Sequence, residues 1–146
     1  FEGLENDIVA VLEKTGEDFA RHLENDAADY SLEALVSDAF DLLAQYAVGC
    51  LFIEKNQFEF QFLAEHYKQY RKRFFETMIQ YLTVFIDRGL VRPLEHLELS
   101  TTLIIEILSW WAMDIRYTSF ERQEIPLDLS KQICLDNIIS AYKCKN

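Results

Sequence analysis

Residues 65–93 read EHYKQYRKRFFETMIQYLTVFIDRGLVRP, and this stretch decides the fold class. Tyr67, Tyr70, Phe74, Met78, Tyr81 and Phe85 recur at steps of three and four, the period of one helix face and not of a strand. Phe75, Ile79, Leu82 and Ile86 make a second apolar row beside the first, so a helix from about Glu65 to Arg88 is apolar on two faces and belongs at the centre of a bundle. Gly89 supplies the left-handed residue that ends it, and Pro93 is a further barrier to helix.

The same period extends in both directions. Residues 2–25 place Leu4, Ile8, Val11, Leu12, Phe19 and Leu23 at helical spacing, with Glu2, Glu5 and Asp7 at the positive end of the helix dipole and Gly16 as a soft spot. Ser31 is positioned to cap a second helix running to about Phe52. Within FEFQFLAE, Phe58, Phe60, Phe62 and Leu63 crowd together, and in the absence of a partner strand this segment is expected to form a short helix behind Asn56. Residues 97–118 predict one further helix, and Pro126 opens a last one ending at Tyr142. The expectation is an all-α bundle of about five to six helices in a single domain, residues 1–146.

Composition agrees, because half of the residues are hydrophobic and only four Gly and two Pro interrupt them. Cys50, Cys134 and Cys144 are an odd set without C-x-x-C spacing, which suits a reducing cytoplasm better than a disulfide framework or a zinc knuckle. Charged residues interrupt every long apolar run, so no membrane span is expected. The net charge of −11 is concentrated at the start, where residues 1–30 hold nine acids against Lys14 and Arg21. Such a surface cannot release counterions from a duplex. The basic run KQYRKR, Lys68 to Arg73, diverges around its helix axis and reads as a solvated face.

The helix order, with FIDRGLVRPLEHLEL (Phe85 to Leu99) as its sharpest part, resembles the C-terminal domain of TetR-like transcriptional regulators. IEKNQFEFQFLAEHY, Ile53 to Tyr67, is similar to the short sixth helix of that family, with Gln57 where a Pro is usual. The resemblance covers nearly the whole chain. It implies a homodimer joined by the last two helices and a small hydrophobic or aromatic effector held among the first four. It further implies that DNA is contacted only through an N-terminal helix-turn-helix head that this stretch lacks, Phe1 lying within the connecting helix.

On that reading the ligand-facing candidates are Phe40, Tyr46, Tyr70, Phe74, Met78, Tyr81, Phe85 and Trp110, with Asp114 as a carboxylate set among aromatics in WWAMDIRY. Ordinary core packing competes for each of these rings, and an exposed helix edge competes for Asp114. The dimer candidates are Ile104, Leu108, Trp111, Ile115, Ile133, Ile138 and Tyr142, since residues 97–142 present more apolar surface than one small bundle covers. No catalytic group, metal or cofactor is expected: the residues three before His22, His66 and His96 are Phe19, Leu63 and Pro93, so the Glu-x-x-His pairs of di-iron bundles are missing. Ser100, Ser109 and Cys134 lack a nucleophile elbow. A helical adaptor that binds only another protein is the alternative. The chain is expected to give no specific, salt-sensitive shift of duplex DNA at physiological ionic strength, and a shift in a gel-retardation assay would overturn that.

Overall fold

The computed structural model describes residues 2–118, 120 and 124–145. The order is α1 (Glu2–Ala20), a 3-10 turn (Arg21–Asn25), α2 (Leu32–Gln45), α3 (Ala47–Lys55), α4 (Gln61–Asp87) and α5 (Leu97–Ser109). A π turn (Trp110–Asp114) leads into the single turn α6 (Ile115–Tyr117), and α7 (Leu127–Tyr142) completes an all-α bundle. Among the described residues the sole strand-like pairing is an isolated antiparallel bridge between Val91 and Lys143.

The predicted aromatic stripe of α4 is buried throughout, and α1, α3 and α5 pack around that helix. The second row is half-buried at Phe75, Ile79 and Ile86, so α4 has one solvent-facing side. Its end follows the sequence reading closely: Gly89 has φ +76°, Leu90 N–H donates to Phe85 O at 2.8 Å and Gly89 N–H to Ile86 O at 3.0 Å. These two bonds are those of a Schellman motif. At the start of α2, Ser31 Oγ accepts from Ala34 N–H at 3.1 Å, as an N-cap should.

Three boundaries differ from expectation. The helix expected to run from Ser31 to Phe52 breaks at Tyr46, where α2 and α3 meet at a bend of 63°. The backbone bonds continue around it, from Tyr46 N–H to Leu42 O and from Cys50 N–H to Tyr46 O, so no turn residue marks the place. FEFQFLAE forms no separate short helix: residues 56–59 form a turn, and from Gln61 the segment is already the start of α4. Asn56 Nδ2 donates to Phe52 O at 2.7 Å, closing the end of α3 instead of opening a new helix. The helix expected over residues 97–118 carries the π turn in its middle, with Ile115 N–H reaching back to Trp110 O.

The last helix is tied down at both ends. Lys131 meets Asp41 and Lys143 meets Glu33, each at 2.9 Å, and Arg92 N–H donates to Tyr142 O at 3.0 Å. The ion pairs are partly exposed and each contributes at most about 1 kcal/mol, so burial of Cys134, Ile138 and Tyr142 holds α7 more than charge does. No single helix among the described residues is long and apolar enough to cross a membrane.

Two consecutive non-glycine residues after the 3-10 turn, Asp26 and Ala27, have φ of 56° and 54°. The Arg88 guanidinium holds this turn by donating to Ala27 O at 2.7 Å, and more weakly to Tyr30 O and Ala28 O. Replacing Arg88 with Ala is expected to cost about 1.5–3 kcal/mol. Asp26→Gly should stabilise by up to about 1 kcal/mol, by relieving a left-handed residue. Urea midpoints of the two variants check both signs.

Candidate functional site

The placement of α1 creates the site. One face of its last third, Thr15, Gly16 and Phe19, is buried, with Phe19 stacked on Phe74 at 4.9 Å between ring centroids and the Tyr81 hydroxyl donating to Phe19 O. Gly16 lies against Arg73, where an added Cβ would meet the guanidinium at 3.2 Å. The first half of α1 is not packed in this way, and Leu4 and Val11 are 58% and 44% exposed.

Between that half of α1 and the α2–α3 bend lies a cavity of about 370 Å³. One wall is Ile8, Val11, Leu12 and Thr15 of α1; the other is Tyr46, Gly49, Cys50, Phe52 and Ile53, with Leu63 and Tyr70 of α4 closing the end. Asp7 and Gln45 complete the lining, which is otherwise overwhelmingly apolar. Its size falls in the lower part of the roughly 300–1,000 Å³ range of small-molecule sites. A second cavity, of about 290 Å³, shares Thr15, Gln45 and Tyr46 with the first and continues along α1 and α2 to Asp18, Arg21, His22, Asp38 and Asp41.

The polar groups of the larger cavity are few and free. Among the described residues, the side chains of Thr15, Gln45, Tyr46 and Tyr70 make no hydrogen bond within the protein. Burial pushes the Cys50 thiol up to about 11 and raises Tyr70 above its ordinary value, so both stay neutral near pH 7. Cys50 is part of the cavity wall. No three His, Cys, Asp or Glu side chains come together to hold a metal among the described residues.

The sequence candidates divide sharply. Tyr46 and Tyr70 line the cavity. Phe40, Phe74, Met78, Tyr81 and Phe85 do not; they are packed in the core, at 3% exposure or less. Trp110 is 45% exposed at the start of the π turn, and Asp114 is half-buried at its end. Arg116 donates to Ala112 O and lies over the Tyr117 ring instead of pairing with Asp114. The α1 residues, Gly49 and Phe52 were not among the sequence candidates, although the effector was expected among the first four helices. The pair of small residues Thr15 and Gly16 within the α1 stripe was the available signal.

Among the dimer candidates, Ile104, Leu108, Ile138 and Tyr142 are buried within the single chain, and Trp111 and Ile115 are half-buried. The outward apolar residues of α5, the π turn and α7 are Leu99 and Leu103, Trp110, and Leu127, Leu129 and Ile133. The basic run disperses: Arg71 turns inward to donate to Ser109 Oγ at 3.0 Å, Arg73 covers Gly16, and Lys68 and Lys72 are exposed.

No family model matches this chain, and no curated protein or solved structure matches it either.

Gly49 sits inside α3 on the cavity wall, and a Cβ there meets nothing within 4 Å. Gly49→Ala is expected to stabilise the chain by about 0.5–1 kcal/mol through helix propensity alone, read as a higher melting temperature. Destabilisation would mean that the cavity wall is closed rather than open at this point.

Proposed function

We propose that the chain is the effector-sensing domain of a TetR-like transcriptional regulator. In this reading it works in the cytoplasm as a homodimer, binds a small hydrophobic or aromatic molecule, and so controls DNA contact made by a separate N-terminal head. The observation that carries the proposal is the apolar cavity walled by α1 and the α2–α3 bend and closed by α4. A ligand there gains from leaving water at about 25 cal/mol per Å² of apolar surface. Because α1 is clamped at Phe19 and loosely packed before Val11, an occupant that spreads the cavity moves the start of α1 most. That displacement is the signal a preceding head would receive.

The six outward apolar side chains of α5, the π turn and α7 support self-association. Burying each large one against a partner is worth roughly 1.5–3 kcal/mol before the costs of association. An adaptor reading draws on a different surface, the exposed Val48, Phe52, Phe58 and Phe62 around the turn after α3.

A panel of hydrophobic compounds is expected to raise the melting temperature by mass action. No thermal shift across the panel would leave the adaptor reading standing. Sedimentation at micromolar concentration should give twice the 17.2 kDa chain mass. The double substitution Leu103→Glu with Ile133→Lys should return a folded monomer, whereas Ile104→Glu should unfold the chain, because Ile104 is buried in its own core. A wild-type monomer would overturn the dimer.

A further inference from the structure

The two cavities meet at three polar side chains, and that junction says what kind of molecule the site takes. Thr15, Gln45 and Tyr46 belong to both, and none of the three makes a side-chain hydrogen bond within the described protein. Thr15 is the informative one: the residue is only 8% exposed, and its hydroxyl, which makes no hydrogen bond within the described protein, lies on the wall of both cavities. On one side of it the walls are apolar; on the other they are charged.

The charged side is predominantly negative. Asp18, Asp38 and Asp41 line it against one guanidinium, Arg21, which forms no ion pair among the described residues. Asp18 and Asp41 have cations outside the cavity, Lys14 at 3.5 Å and Lys131 at 2.9 Å. Asp38 differs: its Oδ2 accepts from the Tyr30 hydroxyl at 2.6 Å, a neutral donor, and the carboxylate forms no ion pair among the described residues. His22 is stacked on Tyr30 with ring centroids 3.9 Å apart, so a flat aromatic pair adjoins this carboxylate. The surrounding chain reinforces the sign, since residues 1–30 carry nine acids against two bases.

We infer that the occupant is a cationic amphiphile, with its apolar body in the larger cavity and its ammonium group past Thr15 in the smaller one. The inference rests on the reading that the larger cavity takes a ligand. A carboxylate-headed molecule of the same length would bring like charge to Asp38, and an uncharged one would gain the Thr15 junction without the charge.

Titration calorimetry of the whole chain with decylammonium, decanol and decanoate, each below its micelle concentration, separates the possibilities. Decylammonium is expected to bind about tenfold tighter than decanol, as one charge-assisted contact allows, and decanoate weakest. Added salt should narrow the preference in the wild-type protein. Asp38→Asn should bring decylammonium close to decanol while leaving decanol unchanged, with circular dichroism confirming the fold. Gly49→Phe, which fills the apolar cavity, should weaken all three. Equal binding of the three probes, or decanoate tightest, would overturn the head-group inference and leave the apolar site intact. Decylammonium binding that survives Gly49→Phe would assign it to the acidic surface and overturn the inference as well. Failure of all three probes to bind would remove the cavity reading together with it.

Discussion

The hydroxyl of Tyr81, wholly buried in the middle of the bundle, donates to the carbonyl of Phe19 near the end of α1. Carbonyls in a last helical turn have no partner within their own helix, and a buried one must find a donor elsewhere. Tyr81 is that donor, and its ring also meets Phe19 edge-on at 5.7 Å. The bond fixes where α1 lies along α4, and the stack on Phe74 fixes its rotation. Gly16, one turn earlier, lets the two helices approach with only Arg73 between them. With one end of α1 held so closely and the other resting on no equivalent contact, space under the first half is a consequence of the clamp.

The opposite side of the molecule is closed by backbone rather than by side chains. After Gly89 the chain runs extended for a few residues, where Arg92 N–H bonds Tyr142 O and Cys144 N–H bonds Leu90 O at 2.9 Å. The Arg92 guanidinium adds a bond to Ala141 O at 2.7 Å and lies over the Tyr142 ring. The segment that ends α4 is thereby also the segment that ends α7. One part of the fold is firmly framed while α1 and α3 border open volume.

Much of the fold was legible because it obeys period and punctuation. The buried stripe of α4, the Gly89 stop, the Ser31 cap and the Pro126 start are each written in a few adjacent residues. The bend at Tyr46 is not, since it retains its backbone bonds and needs neither Gly nor Pro. The lining of the cavity is less legible in the sequence for a related reason. Periodicity tells which residues leave water, yet Phe40, Met78 and Phe85 leave it inside the packed core, whereas Ile8, Leu12 and Cys50 partly face a void. Local spacing carries no information on that distinction, which is decided by how far apart two helices are held. The same holds for α5 and α7: the excess of apolar residues was visible, but whether Leu103 or Ile104 pointed outward depended on where α2 and α4 would lie.

The π turn at Trp110–Asp114 makes this segment sensitive to length in a way that composition conceals. A helix that accommodates one extra residue as a wide turn keeps its axis but shifts the angular phase of everything after it by about 100°. Here α2, α3 and α7 all pack on the wide turn itself, with Ala112 and Met113 buried between them. A single-codon deletion within these five residues would let the backbone relax to ordinary α-helix and swing Ile115–Tyr117 around the axis, away from the surfaces they now meet. A conservative exchange at the exposed Trp110 would leave that phase untouched. Across this stretch, residue count is under tighter physical constraint than residue identity.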